Sequence, residues 1–140
     1  MIVLDTNVLS ELFRPVPSPE VVRWMAGHPV SSLFTTAVTQ AEMLFRIEVM
    51  PRGKRRTALQ AEVQAMFTQD LGNRILPFDV EAAQAFPRIA AARRALGRFI
   101  SPTDAQIAAI AVSRGARLAT RNIADFEHCG VALVNPWKTR

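Results

Sequence analysis

The feature that most constrains the fold is a short apolar run that ends in an acidic residue near the start of the chain. Met1 to Leu4 are all apolar, and Asp5 follows them directly. A short, uninterrupted apolar run is typical of a strand buried on both faces, as in a parallel sheet. A carboxylate at the end of such a strand is costly to bury unless something pairs with it. Asp5 therefore either caps the helix that follows or belongs to a site.

Segments with strand and helix character alternate along the rest of the chain. Predicted strands cover 1–5, 32–38, 74–78, 116–120 and 131–135, and predicted helices cover 7–13, 18–27, 39–50, 54–70, 79–96 and 101–114, with a short helix or turn at 122–127. Pro87 is expected to interrupt or kink the helix over 79–96. Strands separated by helices predict a mostly parallel sheet covered on both faces. We therefore expect one α/β domain of three layers over 1–140.

The composition is that of an ordinary soluble globular protein, with 49% hydrophobic and 21% charged residues in a chain of 140. The one cysteine, Cys129, excludes an internal disulfide and fits a reducing compartment. No apolar run approaches the roughly 20 residues of a membrane-spanning helix, and the first residues lack the features of a signal peptide. A cytoplasmic protein without membrane association is expected.

The net charge is +5, and the basic residues are concentrated in two segments. The first contains Arg46, Arg52, Lys54, Arg55 and Arg56, and the second contains Arg88, Arg93, Arg94 and Arg98. Such clusters suit a polyanionic partner, because neutralising phosphates releases condensed counterions. A solvated helix face or loop is the alternative, and charge alone does not decide between the two.

Further acidic and amide side chains lie next to the other predicted strands. Glu42 lies near the start of the helix after the second strand, Asp104 opens the helix before the fourth strand, and Asn122 and Asp125 come after the fourth strand. Ligands of open α/β sheets bind outside the carboxyl ends of the strands, where these side chains would join Asp5. Clustered carboxylates repel one another unless a cation compensates, and Mg²⁺ or Mn²⁺ prefers such ligands.

The acidic residues also have structural alternatives. Thr39 at the N-cap and Glu42 at N3 match the spacing of a capping box, as do Ser101 and Asp104. Asp125 is a candidate turn residue. Taken singly, Glu42 and Asp125 are better explained in this structural way. Asp104 shares a helical stripe with apolar residues, which predicts that its side chain faces inward rather than water.

Other catalytic chemistries find little support in the sequence. The six glycines form neither a dinucleotide-binding nor a phosphate-binding loop, and no serine stands in a nucleophile-elbow pattern. His28 and His128 are isolated and lack zinc-ligand spacing with Cys129. Trp24 and Trp137 are expected to pack in the protein rather than to stack on bases.

The chain resembles a known protein family. The stretches IVLDTNVLSEL, TTAVTQAEM, RILPFD, ISPTDAQIAAIA, LATRNIADF and VNPW are similar, in order and over nearly the whole chain, to PIN-domain ribonucleases, specifically the VapC-type toxins of bacterial toxin–antitoxin modules and their FitB-like branch. The resemblance implies a PIN-like three-layer α/β/α sandwich. It also implies Mg²⁺- or Mn²⁺-dependent endoribonuclease activity in a toxin that a VapB-type antitoxin silences.

The resemblance also implies which residues form the site. Asp5, Glu42 and Asp104 match the family's acidic metal-binding positions, and these residues with Asp125 form the expected catalytic set. The fourth acidic position falls in the segment after LATR, where Asn122 stands and Asp125 follows three residues later. Which of these two serves there stays open, as does the number of ions bound.

The implied reaction is hydrolysis of an RNA phosphodiester by a metal-activated water that attacks in line and leaves a 5′-phosphate and a 3′-hydroxyl. Asp5 and Asp104 would hold the principal ion, and Glu42 would bind it through water or position the nucleophile. Other candidates bind water or orient these acids; they are Thr6, Asn7 and Thr103. The basic residues of the two segments described above would steer the RNA backbone.

The resemblance implies protein partners as well. The antitoxin's C-terminal segment would wrap the toxin and cover the acidic site, with arginines suited to pair with carboxylates. A homodimer is expected, or a toxin–antitoxin hetero-oligomer that binds promoter DNA through the antitoxin. Apolar residues of one helix could supply part of the dimer interface, although core packing is their favoured use; they are Met43, Leu44, Ile47 and Met50.

Two alternatives remain open from the sequence. The first is a non-catalytic module of the same fold that only binds nucleic acid or the antitoxin. This alternative rests on Asn122, which stands where an acidic residue is expected. The second is another metal-dependent phosphohydrolase that acts on nucleotides or DNA.

Overall fold

Five parallel strands form the central sheet in the computed structural model, which describes residues 1–138. The strands are β1 (Ile2–Leu4), β2 (Leu33–Thr36), β3 (Ile75–Leu76), β4 (Arg117–Ala119) and β5 (Leu133–Val134), and their order in the sheet is β3-β2-β1-β4-β5. The helices are α1 (Thr6–Glu11), α2 (Pro19–Ala26), α3 (Ala37–Glu48), α4 (Lys54–Ala65), α5 (Val80–Ala95), α6 (Pro102–Ser113) and α7 (Ile123–Phe126). None of the helices in this part of the chain is long and apolar enough to span a membrane.

Helices cover the sheet on both faces, because successive residues of a strand point to opposite sides. In β1, Ile2 and Leu4 are buried in a core that includes residues of α1 to α4. Val3, between them, is buried in a second core that includes residues of α5 to α7. The predicted three-layer α/β/α sandwich with a parallel sheet is confirmed.

The order of the strands places a crevice beside β1. The chain adds β2 and then β3 on one side of β1, and later adds β4 and β5 on the other side. Since crossovers between parallel strands are right-handed, this reversal carries the later helices to the opposite face of the sheet. Ligands of such sheets bind where the strand order reverses. Here that point lies at the carboxyl ends of β1 and β4, next to Asp5.

Two details differ from the sequence-based expectations. Helix α3 begins at Ala37, because the Thr36 hydroxyl caps it by accepting a hydrogen bond of 3.0 Å from the Thr39 N–H; the prediction of Thr39 as N-cap is wrong. Helix α5 runs without interruption through Pro87. Pro87 and Ala83, whose carbonyl loses its partner, are both exposed, so water can replace the missing bond.

Candidate active site

Asp5 lies at the carboxyl end of β1, where only 5% of the residue is exposed. One carboxylate oxygen accepts a 2.8 Å hydrogen bond from the Thr6 N–H, and the other accepts bonds of 2.8 Å from the Thr120 hydroxyl and 3.1 Å from the Asn7 amide. Burial raises the pKa of Asp5, with a further increase from the Glu42 charge, although these hydrogen bonds oppose the rise. Asp5 therefore caps α1 and also presents a firmly oriented carboxylate at the end of the strand.

Glu42 joins Asp5 from the second turn of α3. Its Oε1 accepts a 2.8 Å hydrogen bond from the Thr6 hydroxyl, which also lies 3.1 Å from the Thr39 hydroxyl. The predicted capping box of Thr39 and Glu42 is wrong, because α3 begins before Thr39. The Glu42 carboxylate is consequently not engaged at the helix start and reaches the site instead, with Arg46 3.9 Å away one turn later.

Asp104 enters from the first turn of α6. The Ser101 hydroxyl caps this helix by accepting a 3.1 Å hydrogen bond from the Asp104 N–H, as predicted. Burial is the largest cause that raises the pKa of the Asp104 side chain to about 6; the charges of Asp5, Asp125 and Glu42 add to the rise, and the hydrogen bond with Ser101 opposes it. The Asp104 side chain is thus partly withdrawn from water and close to three other acids.

The segment after β4 supplies both candidates for the fourth acidic position. Asp125, in α7, is exposed but near enough for its charge to raise the pKa of Asp104. Asn122 precedes α7 without a side-chain capping bond, and its backbone N–H donates to the Thr120 hydroxyl at 3.1 Å. The structure therefore brings Asp125 into electrostatic contact with the acidic cluster and leaves the Asn122 side chain at its exposed edge.

The side chains of the acidic cluster are spread apart and do not form a closed metal-binding site. Within residues 1–138, no three Asp, Glu, His or Cys side chains lie close enough together to bind one ion as a set. Mg²⁺ commonly binds through one or two carboxylates and keeps several waters, so an open set of carboxylates fits this ion better than it fits zinc. Burial and, after it, repulsion from the neighbouring acids raise the pKa of Asp104, and a bound cation relieves this repulsion.

Two threonines that the sequence did not single out for a functional role belong to the site. The Thr120 hydroxyl contacts Asp5, lies 3.4 Å from the Asn7 amide nitrogen, and accepts from the Asn122 N–H. The Thr39 hydroxyl contacts that of Thr6. The signal for Thr120 was available, since a polar residue directly after a buried strand is the pattern that identified Asp5. Among the other predicted residues, Thr103 lines a shallow groove together with Glu42.

The basic residues predicted to steer RNA have unlike environments. Four of them are exposed and form no ion pair with a carboxylate of residues 1–138; they are Arg52, Lys54, Arg55 and Arg94. Arg46 pairs weakly with Glu42, and two more ion pairs of residues 1–138 involve the basic segments. Arg56 lies 3.4 Å from Glu48, and Arg98 lies 3.4 Å from Glu127.

The prediction that Arg93 steers RNA is wrong, because Arg93 is only 4% exposed. Its guanidinium donates hydrogen bonds to the backbone carbonyls of Arg98 (2.7 Å), Asp125 (2.7 Å) and Glu127 (2.9 Å), and more weakly to that of Phe99 (3.5 Å). Arg93 therefore ties the loop after α5, which leads to Asp104, to the segment that carries Asp125.

An apolar groove of about 390 Å³ lies on the α3 side of the site. Its apolar lining comes from α3, α4 and the residues just after α1 and α3, and it includes Phe13, Met43, Ile47, Met50, Leu59 and Val63. Three arginines, Arg14, Arg46 and Arg55, also line it. Met43 and Ile47 are buried, which confirms core packing as their use.

The raised pKa of Asp104 predicts how the stability of the metal-free protein depends on pH. In the unfolded chain an Asp side chain has a pKa of about 4, whereas the folded-state pKa of Asp104 is about 6. The folded protein therefore holds a proton that the unfolded chain has lost, and stability falls as the pH rises through this window. We expect urea unfolding in a chelating buffer to show this fall between pH 4 and pH 7.

The variant Asp104→Asn should reduce this pH dependence, because it removes the titrating group. The matched control is Asp70→Asn, which changes an exposed acid outside the cluster and should leave the dependence as in the wild type. An equal fall in all three proteins would contradict the assignment of the effect to Asp104.

Comparison with known proteins agrees with the fold over its whole length. The PIN domain family model matches residues 2–130, which include all the acidic residues of the site. The chain is 39% identical over 138 residues to VapC ribonuclease Y4jK of Sinorhizobium fredii, with 99% of both chains covered. It is 34% identical over 137 residues to toxin FitB of Neisseria gonorrhoeae, covering 98% of this chain and 99% of FitB. The solved structure of FitAB bound to an IR36 DNA fragment superimposes with a TM-score of 0.94 at 34% identity, covering 100% of this chain and 98% of that one.

Proposed function

Because the chain belongs to the PIN-domain family, in its branch of VapC- and FitB-type toxins, we propose that it is the toxin of a type II toxin–antitoxin module and cleaves RNA as a Mg²⁺- or Mn²⁺-dependent endoribonuclease. One observation carries this proposal. Asp5, Glu42, Asp104 and Asp125 come from four different elements and meet where the strand order reverses. Capping of α1 accounts for Asp5 alone, whereas the mutual repulsion of the whole set is suited to a divalent cation.

The residues of the site have two proposed roles, to bind the ion and to orient its ligands. Asp5 and Asp104 are the proposed principal ligands, and Glu42 binds through water or orients the attacking water. When bound, the ion supplies a water of lowered pKa and stabilises charge on the leaving oxygen. Thr6 and Thr120 fix the carboxylates of Glu42 and Asp5 through their hydroxyls, which keeps the oxygens in place before substrate arrives.

Asp125 supports a catalytic role over a purely binding one. A protein that only binds nucleic acid or the antitoxin does not need a fourth acidic residue. From the sequence, this fourth position was uncertain because Asn122 is not acidic. The charge of Asp125 contributes to the raised pKa of Asp104, after burial and the charge of Asp5, which supports Asp125 as the fourth acid.

We also propose a VapB-type antitoxin as the protein partner, in a complex able to bind promoter DNA through the antitoxin. The solved FitAB structure is that of a complex bound to DNA, and this chain matches it along its whole length. The apolar groove described above adjoins the site through α3, since Arg46 lines the groove and pairs with Glu42. A partner segment that fills this groove therefore lies within reach of the carboxylates.

The decisive experiment compares matched RNA and DNA oligonucleotides incubated with the purified protein. We expect RNA to be cleaved with Mg²⁺, cleavage to stop with a chelator and to return when Mg²⁺ is restored, and the product to carry a 5′-phosphate. Co-purification with the antitoxin should suppress cleavage. Cleavage that persists in the chelator, or equal cleavage of DNA, would contradict the proposal. Asp5→Asn protein prepared in parallel controls for contaminating ribonuclease.

A further inference from the structure

An exposed arginine lies beside the acidic cluster without joining it. Arg121 follows Thr120 at the carboxyl end of β4, and its backbone N–H donates a 3.1 Å hydrogen bond to the Asn7 side-chain oxygen. The Asn7 amide in turn donates to Asp5. The backbone of Arg121 is thus fixed two hydrogen bonds away from the buried carboxylate of the site.

The side chain of Arg121 is held by an aromatic ring rather than by an acid. Its guanidinium carbon lies 5.0 Å from the centroid of the Trp137 ring, a cation–π contact. Across residues 1–138 it forms no ion pair with any carboxylate. An arginine whose backbone lies next to an acidic cluster is expected to pair with a carboxylate. The contact of the Arg121 guanidinium with the Trp137 ring therefore requires an explanation.

Trp137 is itself firmly placed. It packs against the core on the α1 to α4 face of the sheet, which confirms the packing role predicted for it. A turn fixes its backbone, since the Trp137 N–H donates a 2.9 Å hydrogen bond to the Asn135 side chain. The ring therefore offers a rigid surface on which the Arg121 guanidinium can rest at little cost in side-chain entropy.

Among the residues that the structure describes, 1–138, the Arg121 guanidinium donates no hydrogen bond. A guanidinium that stacks on an aromatic ring uses its face, and its N–H groups remain in a fork that matches two oxygens of a phosphate. The acids of the site repel a phosphodiester, so a positive group at the margin of the cluster is needed to draw the backbone in.

We propose that Arg121, positioned by Trp137, binds a phosphate of the RNA backbone next to the phosphodiester that is cleaved. This inference rests on the proposed ribonuclease function. It makes Arg121 a substrate-binding residue and Trp137 a positioning residue, neither of which belongs to the two basic segments that the sequence emphasised.

The experiment measures cleavage of a single-stranded RNA of mixed sequence and, separately, RNA binding in the Asp104→Asn background at several salt concentrations. We expect Arg121→Ala to raise KM and Kd about 10-fold with little change in kcat. The slope of log Kd against log salt should fall by about 0.7, the value for one phosphate contact on a single strand.

Three further variants give the test its controls. Arg117→Ala removes an exposed arginine at the opposite end of the same strand and should leave KM and the salt slope unchanged. Trp137→Leu should raise KM about 3-fold without changing the salt slope, since the charge remains. Trp137→Phe, which keeps an aromatic ring, should restore most of the KM, and this guards against a loss caused only by misfolding.

The outcomes separate this inference from the proposed function. Wild-type cleavage with an unchanged KM and salt slope in Arg121→Ala overturns the role of Arg121 alone. Equal effects of Arg121→Ala and Arg117→Ala also overturn it, because they reveal only a general effect of charge. Absence of cleavage and of RNA binding in the wild type overturns the proposed function, and the assignment of Arg121 falls with it.

Discussion

Replacing Asp104 with Asn is expected to lower RNA cleavage by at least about 100-fold, because loss of a direct metal ligand should exceed the loss typical of its supporting groups. Asp5→Asn should have an effect of similar size. Both are nearly isosteric changes that remove one negative charge from a repelling cluster. The metal-free Asp104→Asn protein should therefore be at least as stable as the wild type near neutral pH. Initial rates with Mg²⁺ and thermal unfolding in a chelator measure the two effects.

The matched control for this prediction is again Asp70→Asn, which makes the same chemical change at an exposed position outside the cluster. It should retain the wild-type rate. A folded Asp5→Asn or Asp104→Asn protein that cleaves RNA at the wild-type rate would refute the site. Equal losses in Asp70→Asn would mean that net charge, rather than the cluster, controls the rate.

The same assay resolves the fourth acidic position. Because Asp125 interacts with Asp104, whereas the Asn122 side chain makes no capping bond, we expect Asp125→Asn to lower cleavage about 10-fold or more. Asn122→Ala should lower it far less. The reverse order would assign the fourth position to Asn122.

Arg93→Ala is expected to lower the free energy of unfolding by about 3 kcal/mol, since it leaves four backbone carbonyls without their donor. Arg93→Lys should recover only part of the loss, because an ammonium group keeps the charge but cannot reproduce the planar fork of donors. Urea unfolding measures the difference. The neighbouring Arg94 is exposed, so Arg94→Ala should change stability by no more than about 0.5 kcal/mol.

The Arg93 variants should also lower RNA cleavage at temperatures where they remain folded. The carbonyls that Arg93 holds belong to the loop before α6 and to α7 and the residues after it, so their release loosens the segments that carry Asp104 and Asp125. A stability of Arg93→Ala equal to that of Arg94→Ala would contradict the structural role assigned to the buried guanidinium.

Sequence patterns were sufficient for the architecture and for the gathering of the acids. Apolar strands separated by helices predicted the parallel sheet, and the position of Asp5 directly after a strand predicted a polar cluster at the carboxyl ends. The position of Asp104 on an inward helical stripe predicted its partial burial. These inferences succeeded because they depend on local periodicity and on the rule that parallel strands end at the same edge of a sheet.

Other features depend on which distant segments pack together, and local patterns do not record this. The Thr120 hydroxyl reaches Asp5 across 115 positions of sequence, and Arg93 reaches the carbonyl of Glu127 across 34. Arg93 has the sequence context of a solvated basic segment, but the folded chain buries it beneath two loops. Local patterns were enough to predict the layered fold and the acids at the strand ends. Which arginines are exposed and which hold the protein together depends on long-range packing, because the role of a guanidinium depends on the acceptors that folding brings to it.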